Sequence, residues 1–215
     1  MIPASPCPLC GATAPRFHAD RRRPYHRCPV CSLIHVPPSH HPDATAERAQ
    51  YDLHENDPAD PGYRRFLSRA EAAVIERVQP PACGLDFGSG PGPTLSIMLG
   101  ERGYEMSIFD PFYAPDEQVF AHRYDFISAT EVFEHLYRPA GELRRLLECL
   151  VPGGWLVVMT GRPYGDDESF ARWNYTHDPT HVAFFATATF TWIAREYDLH
   201  LDIVGPDVVA LRTPA

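Results

Sequence analysis

Two groups of residues in this chain have the types and spacing to do chemistry. The first is Cys7-Pro8-Leu9-Cys10 and Cys28-Pro29-Val30-Cys31, two C-x-x-C pairs with 17 residues between them. Thiolates at this spacing can close a tetrahedral zinc shell with no position left for substrate. The expected metal is therefore structural zinc, held by Cys7, Cys10, Cys28 and Cys31. The alternative, two redox-active pairs, would want a βαβ context around each pair, and neither has one. His18 and His26 nearby are expected to be solvated loop residues. The second group is Leu85-Asp86-Phe87-Gly88-Ser89-Gly90-Pro91-Gly92-Pro93, a short apolar run ending in an acid with three glycines at alternate positions. Glycine takes positive φ and lets a ligand approach bare backbone, so the string describes a ligand-facing turn after a strand. Pro93 suits the first turn of a helix, whose unpaired N–H groups favour an anionic group. A dinucleotide fingerprint would need glycine at 93, so this is not a clean nicotinamide site.

The elements that must position these groups follow from periodicity. An apolar stripe over residues 65–79 predicts a helix leading into the main sheet, stopped by Pro80 and Pro81. Then come a strand at 85–87, the glycine turn, a helix over 94–102 with Gly103 as its C-cap, and a strand at 105–109 ending in Asp110. Further strands are expected at 124–129, 155–160, 199–204 and 208–211, with helices over 139–150 and, from a Thr cap, 187–197. Residues 111–123 are too few for another helix, strand and helix. Alternating strands and helices of this kind build an α/β sheet.

Asp86-x-Gly88-x-Gly90-x-Gly92 resembles motif I of the class I S-adenosylmethionine (SAM) methyltransferases. Glu131-Val132-Phe133-Glu134-His135-Leu136, with Leu150-x-Pro152-Gly153-Gly154, resembles the quinol-type and small-molecule O-methyltransferases of that class. The resemblance covers about residues 63–204. It implies a Rossmann-like α/β sheet with helices on both faces and a SAM site drawn from Asp86, Gly88, Ser89, Gly90, Gly92, Asp110, Pro111, Phe112, Thr130 and Glu131. The loop would pack on the methionyl part of SAM, so a side chain at Gly90 is expected to intrude there. Asp110 lies 24 residues beyond Asp86, close to where a Rossmann-type domain places the carboxylate that accepts ribose hydroxyls; the other reading is a turn former before Pro111. With the element between Asp110 and Tyr124 shortened, Phe112 or Tyr113 is left to stack on adenine. After the fifth strand, where such enzymes commonly build the acceptor pocket, stand Trp173, Tyr175, Asp178, His181 and Phe184. Methyl transfer is an in-line displacement that needs a base only if the acceptor loses a proton, and His181 and His135 are the candidates.

The expected organisation is a zinc ribbon over 1–36, a proline-rich connector over 37–62 and the methyltransferase domain over 63–215. Tyr51, His54 and Tyr63 make the connector aromatic enough either to lid the pocket or to pin itself to the domain. At 215 residues and 44% hydrophobic content the chain can bury a real core. Its net charge of −9 argues against a nucleic-acid binder, although the part before Pro37 has five arginines against one aspartate. That arginine run reads either as a docking surface or as a solvated hairpin. Cys83 and Cys149 are expected to be buried small side chains rather than nucleophiles. No apolar run approaches the roughly 20 residues that cross a bilayer, and the first residues lack the pattern of a signal peptide, so a cytoplasmic location is expected. The functional expectation is methylation of a small-molecule or carrier-linked acceptor. Two alternatives stand beside it: an RNA or protein methyltransferase that docks through the ribbon, and a non-catalytic SAM-binding scaffold.

Overall fold

The computed structural model describes residues 4–53, 56–164 and 166–215. Each cysteine pair sits in a tight turn in which the first cysteine's carbonyl accepts from the amide four residues on, Gly11 N at 2.9 Å from Cys7 O and Ser32 N at 3.0 Å from Cys28 O. Both closing residues take positive φ, 75° and 61°. Strands β1 (Ser5–Pro6) and β2 (Thr13–Ala14) flank the first turn. A hairpin of β3 (Arg16–Ala19) and β4 (Pro24–Arg27) follows, then β5 (Ile34–His35), which pairs with β4. In the connector, α1 (Ala44–Tyr51) starts where Asp43 caps it, its carboxylate accepting from Ala46 N at 2.9 Å. Helix α2 (Pro61–Ile75) begins ahead of the expected residue 65, because Asp60 caps Gly62 N at 2.7 Å and Pro61 fits the first turn.

The main sheet begins with β6 (Cys83–Phe87), α3 (Thr94–Glu101), β7 (Glu105–Phe109), β8 (Tyr124–Thr130), α4 (Pro139–Glu148) and β9 (Leu150–Met159). A short α5 (Asp167–Ala171), the two-residue β10 (Ala183–Phe184), α6 (Thr187–Glu196), β11 (His200–Ile203) and β12 (Val208–Arg212) complete the chain. Its order is β11-β12-β9-β8-β6-β7, with β6 to β9 parallel and β12 antiparallel to both neighbours. Between β7 and β8 there is a single 3-10 turn, Glu117–Ala121, so β7 forms the sheet's edge, as the short 111–123 segment implied. The central strands are apolar on both faces because helices cover both. Phe126, Val157, Met159, Val208 and Ala210 face α2 and α3, while Ile127, Ala129, Leu156, Val158, Val209 and Leu211 face α4 and α6.

The ribbon does not close its own sheet. Strand β10, far along the chain, pairs antiparallel with β5, Ala183 opposite His35 and Phe184 opposite Ile34. Tyr25, Ile34, Val36, Phe170, Val182 and Phe184 form one buried cluster across that junction. Three local expectations change. His26 is fully buried rather than solvated, its Nδ1 3.0 Å from Ala14 O and its ring stacked on His35. Cys83 is exposed at a strand end, with Glu105 beside its thiol, whereas Cys149 is buried. Helix α6 has Ala186 at its N-cap and no side-chain cap. Among the described residues no helix is long and apolar enough to cross a membrane.

Candidate functional site

The carboxyl ends of β6, β7 and β8 open onto a cavity of about 810 Å³. Asp86, fully buried at the end of β6, accepts from Ser128 Oγ at 2.9 Å and Ser96 Oγ at 3.1 Å. Burial still pushes its carboxyl up to about 6 against those two hydroxyls. The glycine loop is pinned to the next strand: Gly88 N and Ser89 N both donate to Phe109 O, at 2.7 and 3.1 Å. Asp110 ties loop to turn, one oxygen accepting from Gly90 N at 3.0 Å and the other from Phe112 N and Tyr113 N at 2.9 and 3.1 Å. It is a turn former and also lines the cavity, Oδ2 keeping one free lone pair while Oδ1 is filled by its two amides.

The connector roofs this cavity. Tyr51 packs edge-on against Phe112 and His135, Tyr113 Oη donates to Asp52 at 2.6 Å, and Asn56 lies on the glycine loop. A Cβ at Gly92 would overlap the Asn56 carbonyl. At Gly90 it would first meet the Asn56 amide nitrogen, at 2.9 Å, in a backbone with φ of 65° that side chains rarely adopt. A side chain at Gly90 is thus opposed by its backbone conformation and by Asn56, and the tighter approach is at Gly92.

Across the cavity, His181 Nδ1 lies 2.7 Å from Tyr175 O and His135 Nδ1 lies 3.2 Å from Thr180 O. A carbonyl only accepts, so both Nδ1 atoms carry the proton and both Nε2 atoms keep a lone pair when the rings are neutral. The two rings meet edge to face with centroids 4.7 Å apart. Burial, with His181 adding to it, holds His135 down at about 4 against the pull of Glu134. Asp178 Oδ2 stands 3.9 Å from His181 Nε2. Burial works to raise the Asp178 carboxyl, but the Thr180 hydroxyl and amide and the neighbouring imidazoles leave it below the usual range.

Behind the histidines, Tyr175 Oη sits 3.1 Å from Glu131 Oε2, hydrogen-bonds Glu134 Oε1, and accepts from Gly161 N at 3.0 Å. Thr160 Oγ1 donates to the other oxygen of Glu134 at 2.8 Å. One phenol proton cannot serve two carboxylates, so one carboxyl carries a proton. Burial, then the adjacent Glu134 charge, raises Glu131 to about 9 and identifies it as that carboxyl. Among the described residues, Glu131 is also one of three non-glycine residues at positive φ, 53°. Glu134, His135 and His181 present ligand-type atoms within 4.8 Å of one another. Both oxygens of Glu134 are already hydrogen-bonded, to Thr160 and Tyr175, while the two histidines keep their Nε2 atoms free.

In the ribbon, Cys7 Sγ and Cys31 Sγ are 3.5 Å apart, Cys10 Sγ and Cys28 Sγ 3.4 Å, and all four sulfurs lie within 4.8 Å of one another. Tetrahedral zinc with 2.3 Å bonds sets sulfurs about 3.8 Å apart, so the donor set fits. The hydrogen bond from Cys31 lowers Cys7 to about 5, while burial raises Cys10 to about 11. Four thiols this close cannot all ionise unaided, and a divalent cation removes that obstacle.

Of the expected cofactor set, Asp86, Gly88, Ser89, Gly90, Gly92, Asp110, Pro111, Phe112, Thr130 and Glu131 all line the cavity, as do Tyr51, Tyr63, His135, Asp178 and His181. His54 lies outside the described residues. Trp173, Tyr175 and Phe184 do not line it: Phe184 is fully buried in the cluster joining ribbon and domain, with Trp173 packed against that cluster. Tyr175 stands one layer back, beneath His181. Asn56 and Arg145 also line the cavity without any motif to mark them, and Asn56 gains its place only through the fold of the connector.

A family model described as a methyltransferase domain matches residues 59–202, more than half of the chain. A search of curated proteins finds no match. Among solved structures, the fold is similar to 1,6-didemethyltoxoflavin-N1-methyltransferase from Burkholderia thailandensis with bound 1,6-didemethyltoxoflavin and S-adenosylhomocysteine. That likeness has 14% identity and a TM-score of 0.53 over 93% of this chain and 99% of that one. A SAM-dependent methyltransferase from Archaeoglobus fulgidus is 15% identical with a TM-score of 0.52, over 69% of this chain and 94% of the other. An O-methyltransferase family protein from Burkholderia thailandensis is 14% identical with a TM-score of 0.52, over 80% and 60%. A glycine loop at the carboxyl end of β6, a parallel core sheet closed by an antiparallel strand, and a family match across that sheet lead to one conclusion: the chain belongs to the methyltransferase-domain family and is a SAM-dependent methyltransferase of class I fold.

Proposed function

We propose that this enzyme methylates a small-molecule or carrier-linked acceptor seated between the glycine loop and the His135–His181 pair. The observation that carries the reading is the single cavity lined by the glycine loop and Asp110 as well as by Glu131, His135, Asp178 and His181. Its volume of about 810 Å³ falls within the range of small-molecule sites. Bound SAM supplies the methyl group on a positively charged sulfur. In this reading the free lone pair on Asp110 Oδ2 accepts a ribose hydroxyl, and the backbone from Gly88 to Gly92, with Asp86 and Ser89 beneath it, lies along the methionyl part. Phe112 and Pro111 flank the adenine, and Thr130 and Glu131 close the far side of the cofactor. Residues 37–62 act as the lid, with Tyr51 within it and Tyr63 just after it as aromatic contacts, and Asp178 and His181 form the acceptor wall. His181 Nε2 accepts a proton from an acceptor that must lose one, Asp178 stabilises the imidazolium, and buried His135 keeps the pocket's second imidazole neutral.

A polymer acceptor docked on the ribbon is less well supported, because three of its five arginines are already engaged. Arg22 and Arg23 turn onto main-chain carbonyls and Arg27 pairs with Asp167 at 2.7 Å. Calorimetry with SAM, followed by methyl transfer to a mixed panel of small metabolites and an RNA and protein panel, tests the proposal. Turnover confined to the polymer panel would overturn it, and SAM binding with no methyl transfer on either panel would point to the scaffold reading.

A further inference from the structure

Arg23, in the β3–β4 turn, is only 5% exposed. Its Nη1 donates to Pro179 O at 2.8 Å, its Nη2 to Thr176 O at 2.9 Å and Asp178 O at 2.8 Å, and its Nε to Tyr25 Oη at 3.1 Å. Arg22 adds Nη1 to His177 O at 2.7 Å and Nη2 to Thr176 O at 3.1 Å, while pairing with Asp20. Two ribbon guanidiniums therefore bind four consecutive carbonyls, 176 to 179, on the far side of the molecule's sequence. Charge-assisted bonds from a planar fork fix direction as well as distance.

The segment so held leads directly into the acceptor wall. Asp178 O also accepts from His181 N at 3.3 Å, and Thr180 O receives His135 Nδ1. Just beyond His181 the ribbon takes hold again: Val36 N donates to Val182 O at 2.9 Å, and β5 pairs with β10. His181 is thus suspended between two ribbon attachments, a guanidinium clamp before it and a strand pairing after it.

We infer that Arg23 is a positioning residue for methyl transfer, through which the cysteine ribbon sets the orientation of His181 and His135 and so forms part of the acceptor site. The inference rests on the proposal that these histidines face the acceptor. Lysine offers its donors from one point and cannot span the same carbonyls, so Arg23→Lys holds the segment only partly.

The test compares the parent protein with Arg23→Ala and Arg23→Lys, using SAM calorimetry, zinc content, NMR of the histidine ring N–H protons and kcat on whichever acceptor the metabolite panel identifies. Expected for Arg23→Ala are unchanged zinc, a SAM Kd within about twofold, loss or broadening of the protected Nδ1–H signals of His181 and His135, and a fall in kcat of about 10- to 100-fold, the scale of a misplaced catalytic group. Arg23→Lys should restore part of both the ring signals and kcat. Parental ring signals and kcat in folded Arg23→Ala would overturn the inference, as would a loss of SAM affinity as large as the loss of kcat. Should the alanine variant fail to fold, the lysine variant decides on the same criteria. Absence of SAM binding by the parent would instead sink the methyl-transfer reading, and the NMR comparison would still test the clamp.

Discussion

At the scale of single residues, three acids and bases carry opposite assignments that separate measurements can resolve. Asp110 already accepts three backbone amides, so Asp110→Ala should both loosen the turn and weaken SAM by about 1–3 kcal/mol in calorimetry, the range for removing a charged hydrogen-bond partner. His181→Ala should leave SAM affinity nearly intact while slowing turnover by about 10²–10⁴-fold, as loss of a general base does. If turnover per folded molecule stays near normal and only thermal stability drops, His181 merely packs the segment. Glu131 gives a pH signature. Its carboxyl is raised from 4.5 to about 9, so between those values the folded protein holds a proton that the unfolded chain has released. Stability from this group is complete below 4.5 and is lost as pH rises towards 9. The Tm of the parent should therefore fall over that interval, and Glu131→Gln should flatten the fall; an identical slope in the variant would reassign the shared proton to Glu134. None of this proton sharing was legible in the sequence. Glu131 and Glu134 stood out there as part of a motif, but Tyr175, which joins them, arrives from the loop after β9.

At the scale of elements, the glycine loop and the connector form one device. Gly92 is small because the Asn56 carbonyl rests on it, so Gly92→Ala should lift the connector off the loop. Hydrogen exchange should then rise at residues 56–60 and SAM affinity should weaken, while exchange in β6 and β8 stays as it was. Faster exchange spread evenly over the sheet would mean that the substitution acts on general stability. The strands and longer helices of the main sheet were readable because their signal is local: alternation, caps and proline stops decide them. Among the elements that escaped were α5 and β10, five and two residues long. Such short pieces hold their shape through tertiary partners, β5 for β10 and the Tyr25 cluster for α5, and no window of sequence contains those partners. The same cause misplaced Phe184 and Trp173, whose aromatic character suits an interface core as well as a pocket wall.

At the scale of the whole molecule, the ribbon and the sheet domain share their cores: Cys7, Leu9, Cys28 and Leu33 join the cluster that includes Leu143, Leu156 and Phe190. Purified protein should contain one zinc per chain by elemental analysis, and Cys28→Ser with Cys31→Ser should abolish it; zinc retained in that double variant would refute the four-cysteine site. Chelation should lower Tm and free the 176–184 segment while leaving most SAM affinity in place, because none of the four ribbon cysteines is among the described residues that line the cavity. The pairing of β5 with β10 has a consequence for how the protein is made. His35 and Ala183 are partners 148 residues apart, so as the chain leaves the ribosome the outer edge of β5 must wait without its partner until most of the sheet domain has been synthesised. Pairings this distant in sequence close late and slowly, so the last event in biogenesis should be the one that completes the acceptor wall, and a nascent enzyme would acquire its cofactor cradle before it could select what to methylate.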